Sequence, residues 1–403
     1  MNFLLILRVI YYSIGLYFLF YSFYWLFLSI LGTIYSKTKR IKNDNLIEIK
    51  NLIILFPAYK PDLKLLEAVR ASKAIKNHSK AKILVILQED VNNIKEMLLS
   101  EGVTIIEKSF KNVQGNPYHE VLRFSSTICK AKNASHILLL DKDNIADCEF
   151  INNIISFGNP LADVWQGKRK ALNQENNWST YDSFSEKLND MLLREAKQAL
   201  KLPPELSGSA ILFTSEIFDH AVNNLDTRAP GMDKNLLIQL LLSNRIISYV
   251  PEAIVWEEKT ASAEVLQTQR IRWFGNQYFN ALYWGKALLK KQTSASLDYL
   301  ITLYRPPRSI QIVLLPIVMV LELLIIKSLG IFSYSFLFTV GGIVVFLLKE
   351  NAWKSAFILA EKLPLMALRN FKSAANGVSK KQQGKFISTE RSLNTNDNLK
   401  KSA

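Results

Sequence analysis

The chain has 403 residues, of which 49% are hydrophobic and 21% charged, a mixture that suggests a globular part joined to membrane segments. Two cysteines, Cys129 and Cys148, and four scattered histidines argue against a disulfide framework or a Cys/His zinc site. Fifty Lys and Arg against thirty-five Asp and Glu give a net charge of +15. Many of these bases flank apolar segments, so an anionic membrane surface and phosphate-bearing substrates explain the excess better than nucleic acid does.

In chain order, residues 3–31 are apolar or aromatic apart from Arg8 and a few small polar residues. The run is too long for a signal-peptide core and has no small-residue cleavage site, so it predicts a membrane span. Lys37, Lys39, Arg40 and Lys42 follow it at once. Then "LIILFP" (52–57) reads as a buried strand ended by Pro57, and a helical pattern starts at Leu63. "AKILVIL" (81–87) reads as a second strand, 92–101 as a helix, "VTIIEK" as a short strand and 117–132 as another helix. "HILLLDKDN" closes this half. Alternating strands and helices predict a mostly parallel sheet, which binds ligands beyond the carboxyl ends of its strands. Tyr59, Glu89, Asp90, Asp141 and Asp143 all fall at such ends.

The "DKDN" stretch invites a chemical reading. Strand alternation carried through it sends Asp141 and Asp143 to one side and Lys142 to the other. Two adjacent carboxylates repel unless a positive charge sits between them, and a hard divalent cation shared with a substrate phosphate meets that need. A solvated polar turn is the plain alternative for an isolated pair.

Further along, residues 180–201 predict one helix, stopped by Pro203 and Pro204. "SGSAILF" (207–213) places small residues ahead of a strand, where backbone can approach a ligand closely. "GMDKNLLIQLLLSN" predicts a helix beginning near Lys234 with Asp233 at its N-terminus, a place where capping alone favours a carboxylate. "IISYVPEAIVWEE" is strand-like, and "QRIRW" (269–273) stands on a helix or its approach. Guanidinium groups grip phosphate bidentately, and indole offers a sugar a flat face. Residues 310–326, apolar except Gln311 and Glu322, and the uncharged run 331–348 are parted only by "KSLG" and predict a membrane hairpin. "AWKSAFILAEK" (352–362) gathers Ala352, Trp353, Ala356, Phe357 and Ala360 on one helical face, as a surface-lying helix would. Basic flanks at 37–42, at Arg305 and Arg308, and from Lys349 onward predict a cytosolic block and C-terminus with the N-terminus outside.

In this order, "FPAYK", "DKDN", "SGSAILF", "MDKNL" and "QRIRW" resemble the motifs of the membrane-embedded members of glycosyltransferase family 2, over roughly residues 50–350. The group includes cellulose, chitin and hyaluronan synthases and bacterial cell-surface polysaccharide transferases. "QRIRW" is a full match to Q-x-x-R-W and is the most specific of the five. The resemblance implies an α/β fold of GT-A type (Rossmann-like) with about three transmembrane helices. It implies an inverting, metal-dependent transfer from a nucleotide sugar, commonly UDP-linked, in the inner or plasma membrane. Carried over by position, Asp143 with Asp141 would hold Mg²⁺ or Mn²⁺, and Pro57, Tyr59, Glu89, Asp90, Asp141, Gln269 and Arg272 would contact the donor. Asp233 would be the general base, and Gly208, Ser209 and Trp273 would meet the acceptor. There are departures: Pro61 stands where an acid often ends the first motif, "LQED" replaces D-D-x-S-x-D, and Met232 replaces the first acid of the E-D pair. Near "VQGN", Lys111 only neighbours the place of a common lysine.

The expected organisation is a membrane helix over 1–35, a cytosolic transferase domain over 45–290, an interfacial segment with the hairpin over 291–350, and an interfacial helix with a basic tail over 351–403. Three spans are fewer than a polymer channel needs, which favours addition of one or a few sugars to a lipid-linked or cell-surface glycan acceptor. A processive polysaccharide synthase with partner subunits, a silent membrane scaffold and a nucleotide-sugar hydrolase are the competing readings. No nucleic-acid partner is expected.

Overall fold

The computed structural model describes residues 3–43, 47–76, 81–90, 93–110, 113, 115–174, 176–260 and 262–378. Lys111 and Gln114 of the "VQGN" neighbourhood and the Lys-rich tail beyond 378 lie outside them. A long N-terminal helix, α1 (Phe3–Lys37), leads into a strand, β1 (Leu52–Tyr59). Then follow α2 (Leu63–Lys73), β2 (Lys82–Gln88), α3 (Ile94–Ser100), β3 (Thr104–Glu107), α4 (Pro117–Ala131) and β4 (His136–Leu139). These four strands are parallel in the order β3-β2-β1-β4, as the alternating pattern predicts.

The second half adds β5 (Ile145–Ala146), α5 (Phe150–Phe157), β6 (Val164–Ala171), α6 (Asn177–Asn189), α7 (Ala196–Ala199), β7 (Ile211–Thr214), α8 (Ser215–Asn223), α9 (Met232–Leu242) and β8 (Ile247–Glu257). Among the described residues the sheet has eight strands, ordered β3-β2-β1-β4-β7-β6-β8-β5. It is mixed: β7 runs antiparallel to both β4 and β6, and β6 parallel to β8.

Period-two burial divides the core between two faces. Ile53, Leu55, Leu84, Ile86, Ile137 and Leu139 pack with α4, α8 and α9 on one side. Their sequence neighbours Ile54, Phe56, Val85, Leu87 and Leu138 pack with α2, α3 and α5 on the other. Strands buried on both faces have to be apolar throughout, which is why these runs were legible.

Three expectations change in detail. Pro57 does not end β1, which continues to Tyr59 with Pro57 paired to Ile86. Pairing of β1 with β4 stops at Leu55, so the N–H that proline lacks falls on the side where no strand needs it. The single helix over 180–201 is α6, a π-helical turn over Asp190–Glu195, and α7. It starts earlier than predicted, at Asn176, through a reciprocal cap with Ser179. Finally, β4 ends before "DKDN", which is a turn closed by Asn144 N–H to the Asp141 carbonyl at 3.0 Å.

Beyond the sheet lie α10 (Ala263–Lys291), α11 (Ser294–Leu303), α12 (Arg308–Ile325), α13 (Ile331–Glu350) and α14 (Trp353–Val378). Among the described residues, three helices are long and apolar enough to cross a membrane: α1, α12 and α13. At 35 residues α1 is about 52 Å long, well over the ~30 Å hydrocarbon layer. Its C-terminal part packs on the globular part, where Trp25 and Leu28 join Leu188, Met191, Leu192, Phe346 and Leu347 in one buried cluster. Inside the bundle, Ser22 Oγ accepts from Thr339 at 2.9 Å and from Gln311 at 3.4 Å. Glu322, the acid noted in the second apolar run, reaches across the hairpin and accepts from Ser333 N–H at 2.8 Å and Ser333 Oγ at 2.6 Å. It therefore caps α13. The last helix, α14, crosses α10 back to back at Gly275 and Gly377, where a Cβ on Gly377 would stand 2.8 Å from the Gly275 nitrogen.

Candidate active site

One cavity of about 1170 Å³ gathers most of the residues singled out in the sequence. Its wall includes Pro57, Tyr59, Asp141, Asp143, Gly208, Asp233, Gln269, Arg272 and Trp273. Glu89, Asp90 and Ser209 are not on the wall. Asp90 instead accepts from the Ile94 and Lys95 amides at 3.1 and 3.0 Å, at the start of α3. Ser209 is fully buried behind Gly208.

The two carboxylates of "DKDN" reach the cavity through the turn and not through strand alternation. Asn144 locks the turn by accepting from the Asp141 amide at 3.2 Å and donating to Asp143 at 3.4 Å. Lys142, expected on the far side, also borders the cavity. It donates to the Lys60 carbonyl at 2.8 Å and stands 3.5 Å from Asp62, tying the turn to the loop after β1. Asp62 itself caps α2 through the Lys64 amide at 3.0 Å. Among the described residues no three His, Cys, Asp or Glu side chains cluster as a cation cage. A carboxylate pair still suits Mg²⁺ or Mn²⁺, which are held by one or two carboxylates with the remaining positions left to water and phosphate.

Asp233 is not the cap of its helix. α9 begins at Met232 with Gly231 at the N-cap, which puts Asp233 in the second helical position with its side chain facing α10. There it accepts from Asn276 Nδ2 at 2.8 Å. Asn276 in turn accepts from Asn280 Nδ2 at 2.7 Å. Gln269, Arg272, Asn276 and Asn280 are spaced three and four residues apart, so a single stripe of α10 carries the Q-x-x-R contacts and the clamp on Asp233. The two asparagines escaped sequence reasoning, although their spacing from Arg272 was the available signal.

Gly208 adopts φ +88°, a region open to glycine at no steric cost, and a Cβ built there would meet the Asp233 Cβ at 3.9 Å. The loop is fixed from below by Gln166 of β6, whose Oε1 accepts from the Ser207 amide at 2.9 Å and whose Nε2 donates to the Ser209 carbonyl at 3.0 Å. The strand β6 itself was missed because only its first residues are apolar. Its later residues include Lys168 and Arg169, half-buried and ion-paired: Lys168 stands 3.7 Å from Glu195, and Arg169 meets Glu186 at 2.9 Å and Glu257 at 3.4 Å. Glu186 also faces Arg194 at 3.2 Å and Lys259 at 3.4 Å. Burial alone would raise the Glu186 carboxyl, but Arg169, Lys259 and Arg194 outweigh it and hold the group well below the usual range. This wall of the cavity is permanently charged and tightly paired.

Arg272 joins the two ends of the site. Burial pulls its guanidinium below the ordinary value, while Asp233, Asp141 and Tyr118 oppose that shift. The Tyr118 phenol, a further wall residue, is pushed well above its usual value by burial and then by Asp141. The Arg270 guanidinium lies over the Trp273 ring at 4.6 Å.

A mixed α/β sheet with a carboxylate turn, an acidic helix start and a helix carrying Q-x-x-R-W around one cavity defines a GT-A-type transferase. The sequence pattern described as glycosyl transferase family group 2 matches residues 136–339, and the chain belongs to that family of glycosyltransferases. Among solved structures it is similar to the mannosyltransferase PcManGT from Pyrobaculum calidifontis, solved with GDP-Man and Mn²⁺. That likeness has a TM-score of 0.57 at 10% identity and covers 92% of this chain and 99% of that one. A weaker likeness, TM-score 0.40 at 10% identity, links it to S. aureus TarS 1–349 in complex with UDP-GlcNAc, covering 83% of this chain and 91% of that one. Among curated proteins no match is found.

Proposed function

We propose that this glycosyltransferase moves a sugar from a nucleotide sugar, with inversion, onto a membrane-proximal glycan or lipid-linked acceptor. The observation that carries the reading is that Asp233, Arg272 and the Asp141/Asp143 turn face one cavity, with Asp233 held by Asn276. Asp141 and Asp143 would hold Mg²⁺ or Mn²⁺, which supplies positive charge to the leaving diphosphate. Gln269 and Arg272 grip the same diphosphate, and Arg272 neutralises charge that grows as the bond to the sugar breaks. Asp233 takes the proton from the acceptor hydroxyl as its oxygen attacks the anomeric carbon. The new carbon–oxygen bond forms as the old one to the diphosphate breaks, and the nucleoside diphosphate leaves. Pro57 and Tyr59 would border the donor and Gly208 and Trp273 the acceptor, whereas Ser209, Glu89 and Asp90, off the cavity wall, have no direct contact in this reading.

The working division remains a membrane helix, a cytosolic transferase domain, an interfacial segment with its hairpin, and a C-terminal interfacial helix. Exposed Trp353, Phe357, Leu365, Leu368 and Phe371 on α14 support the last assignment. The site in the inner or plasma membrane, with the catalytic part inside, follows from the basic flanks.

Nucleotide-diphosphate binding in Mn²⁺ and in EDTA tests the donor half. Asp143→Ala is expected to weaken binding in Mn²⁺ and to abolish the response to EDTA. Equal affinity of the unaltered protein under both conditions overturns the metal assignment.

A further inference from the structure

The cavity continues past the catalytic residues to the heads of the membrane helices. Arg270, Arg305 and Arg308 line this end together with Ile312, Ile343, Phe346, Leu359 and Leu363. The positive charge here exceeds its partners. Arg270 stands 3.7 Å from Asp182, and Arg305 stands 3.6 Å from Glu205, which already pairs with Lys234 at 2.9 Å. Among the described residues no carboxylate lies within ion-pairing distance of Arg308, whose guanidinium donates to Asn189. Arg270 Nε and Arg305 Nη1 are buried without a hydrogen-bond partner. Three guanidinium groups on the wall of one cavity, with fewer carboxylates than charges beside them, point to an anion with several acceptor oxygens.

The cluster is also built to stay in place. Gln277 Nε2 donates to the Leu303 and Arg305 carbonyls at 2.9 and 3.0 Å, fixing the Arg305–Pro306–Pro307 link. Asn370 of α14 donates to Ser309 Oγ at 2.8 Å, closing the link from the other side. Arg308 is the first residue of α12, a helix long and apolar enough to cross a membrane, and a span beginning there would set the cluster at the depth of lipid headgroups. The apolar wall that starts there is formed by α12, α13 and α14. A water-soluble acceptor has no use for such a wall.

We propose that the acceptor is a lipid bearing a phosphate or diphosphate, its anionic group held by Arg270, Arg305 and Arg308 and its hydrocarbon chain laid along Ile312, Ile343, Phe346, Leu359 and Leu363. The proposal rests on the reading that the Asp233 end of the cavity receives the acceptor. Binding is tested apart from transfer, so the two readings fail separately.

The experiment uses the purified full chain in detergent with radiolabelled farnesyl phosphate as probe, and farnesol and inorganic phosphate as competitors. The probe is expected to bind the unaltered protein and Asp233→Asn alike. Arg308→Gln loses a charge-assisted contact, and Leu363→Glu sets a negative charge on the apolar wall; each should weaken binding by about tenfold or more. Melting temperature reports folding, and where Arg308→Gln does not fold, Leu363→Glu carries the test. Farnesol competing as well as unlabelled farnesyl phosphate overturns the proposal, because the anion site then contributes nothing. Inorganic phosphate competing equally well also overturns it, because the lipid chain then contributes nothing. Wild-type affinity in both folded variants overturns it as well.

Discussion

Asn276→Leu separates the positioning of Asp233 from everything else in the site. Leucine has the same branched set of four side-chain heavy atoms as asparagine but offers no donor, so the Asp233 carboxylate loses its 2.8 Å contact and Asn280 loses the Asn276 Oδ1 acceptor. Both asparagines are buried, with Asn276 3% exposed and Asn280 0%, so water does not replace the bond between them, while Asp233 keeps its face toward the cavity. One charge-assisted bond and one neutral bond together are worth about 2–4 kcal/mol of stability. The cost is cushioned because Asn280 Nδ2 also donates to the Asn276 backbone carbonyl at 2.8 Å, which leucine retains. A carboxylate free to swing is no longer aimed at the acceptor oxygen, and misplacement on the scale of 1 Å costs about 10²-fold in rate. Donor contacts assigned to Asp141, Asp143 and Arg272 are untouched. The assay is kcat and donor KM with a nucleotide sugar, beside the melting temperature. The expected result is a lower kcat with donor KM close to wild type. An unchanged kcat in a folded variant refutes the claim that Asn276 positions Asp233.

Two further outcomes follow from charge. Burial, helped by Arg123, pushes the His119 imidazole down to about 4, so between pH 6.5 and 4 the unfolded chain binds a proton that the folded one refuses. Stability from this group therefore rises with pH across that window, and His119→Gln should show a shallower loss of stability on acidification, by up to about 3 kcal/mol, in denaturant titrations; parallel curves for the two proteins would contradict it. For the topology, Lys39→Cys should resist a membrane-impermeant thiol reagent in intact cells while Ser328→Cys, between α12 and α13, reacts. The reverse pattern would invert the orientation; positions near Asn45 and Lys385, equally suited to labelling, lie outside the described residues.

The parallel half of the sheet was legible because strands buried on both faces must be apolar, and so were the three long apolar helices. What stayed hidden depends on tertiary partners. β6 pairs its Arg169 with Glu186 and Glu257, a solution that no local pattern announces. The carboxylates at 141 and 143 were read as strand neighbours, yet Asn144 bends them into a turn that serves the same cavity. The role of Asp233 looked ambiguous because an acid at a helix start is usually a cap. Only the fold brings Asn276, distant in sequence, against it and hands the N-cap position to Gly231. The arginines before and at the start of α12 read simply as inside-facing flanks, and their convergence with Arg270 on one cavity needed the packing of α10, α12 and α14.

The central claim is that Asp233 is the base of a sugar transfer, and Asp233→Asn tests it most directly. Asparagine keeps an oxygen to accept from Asn276, and the N-cap belongs to Gly231, so folding has little reason to suffer. Melting temperature and nucleotide-diphosphate affinity are expected to stay near wild type, while the transfer rate falls by about 10²–10⁴-fold. A folded variant that binds nucleotide and keeps most of its transfer activity would contradict the account.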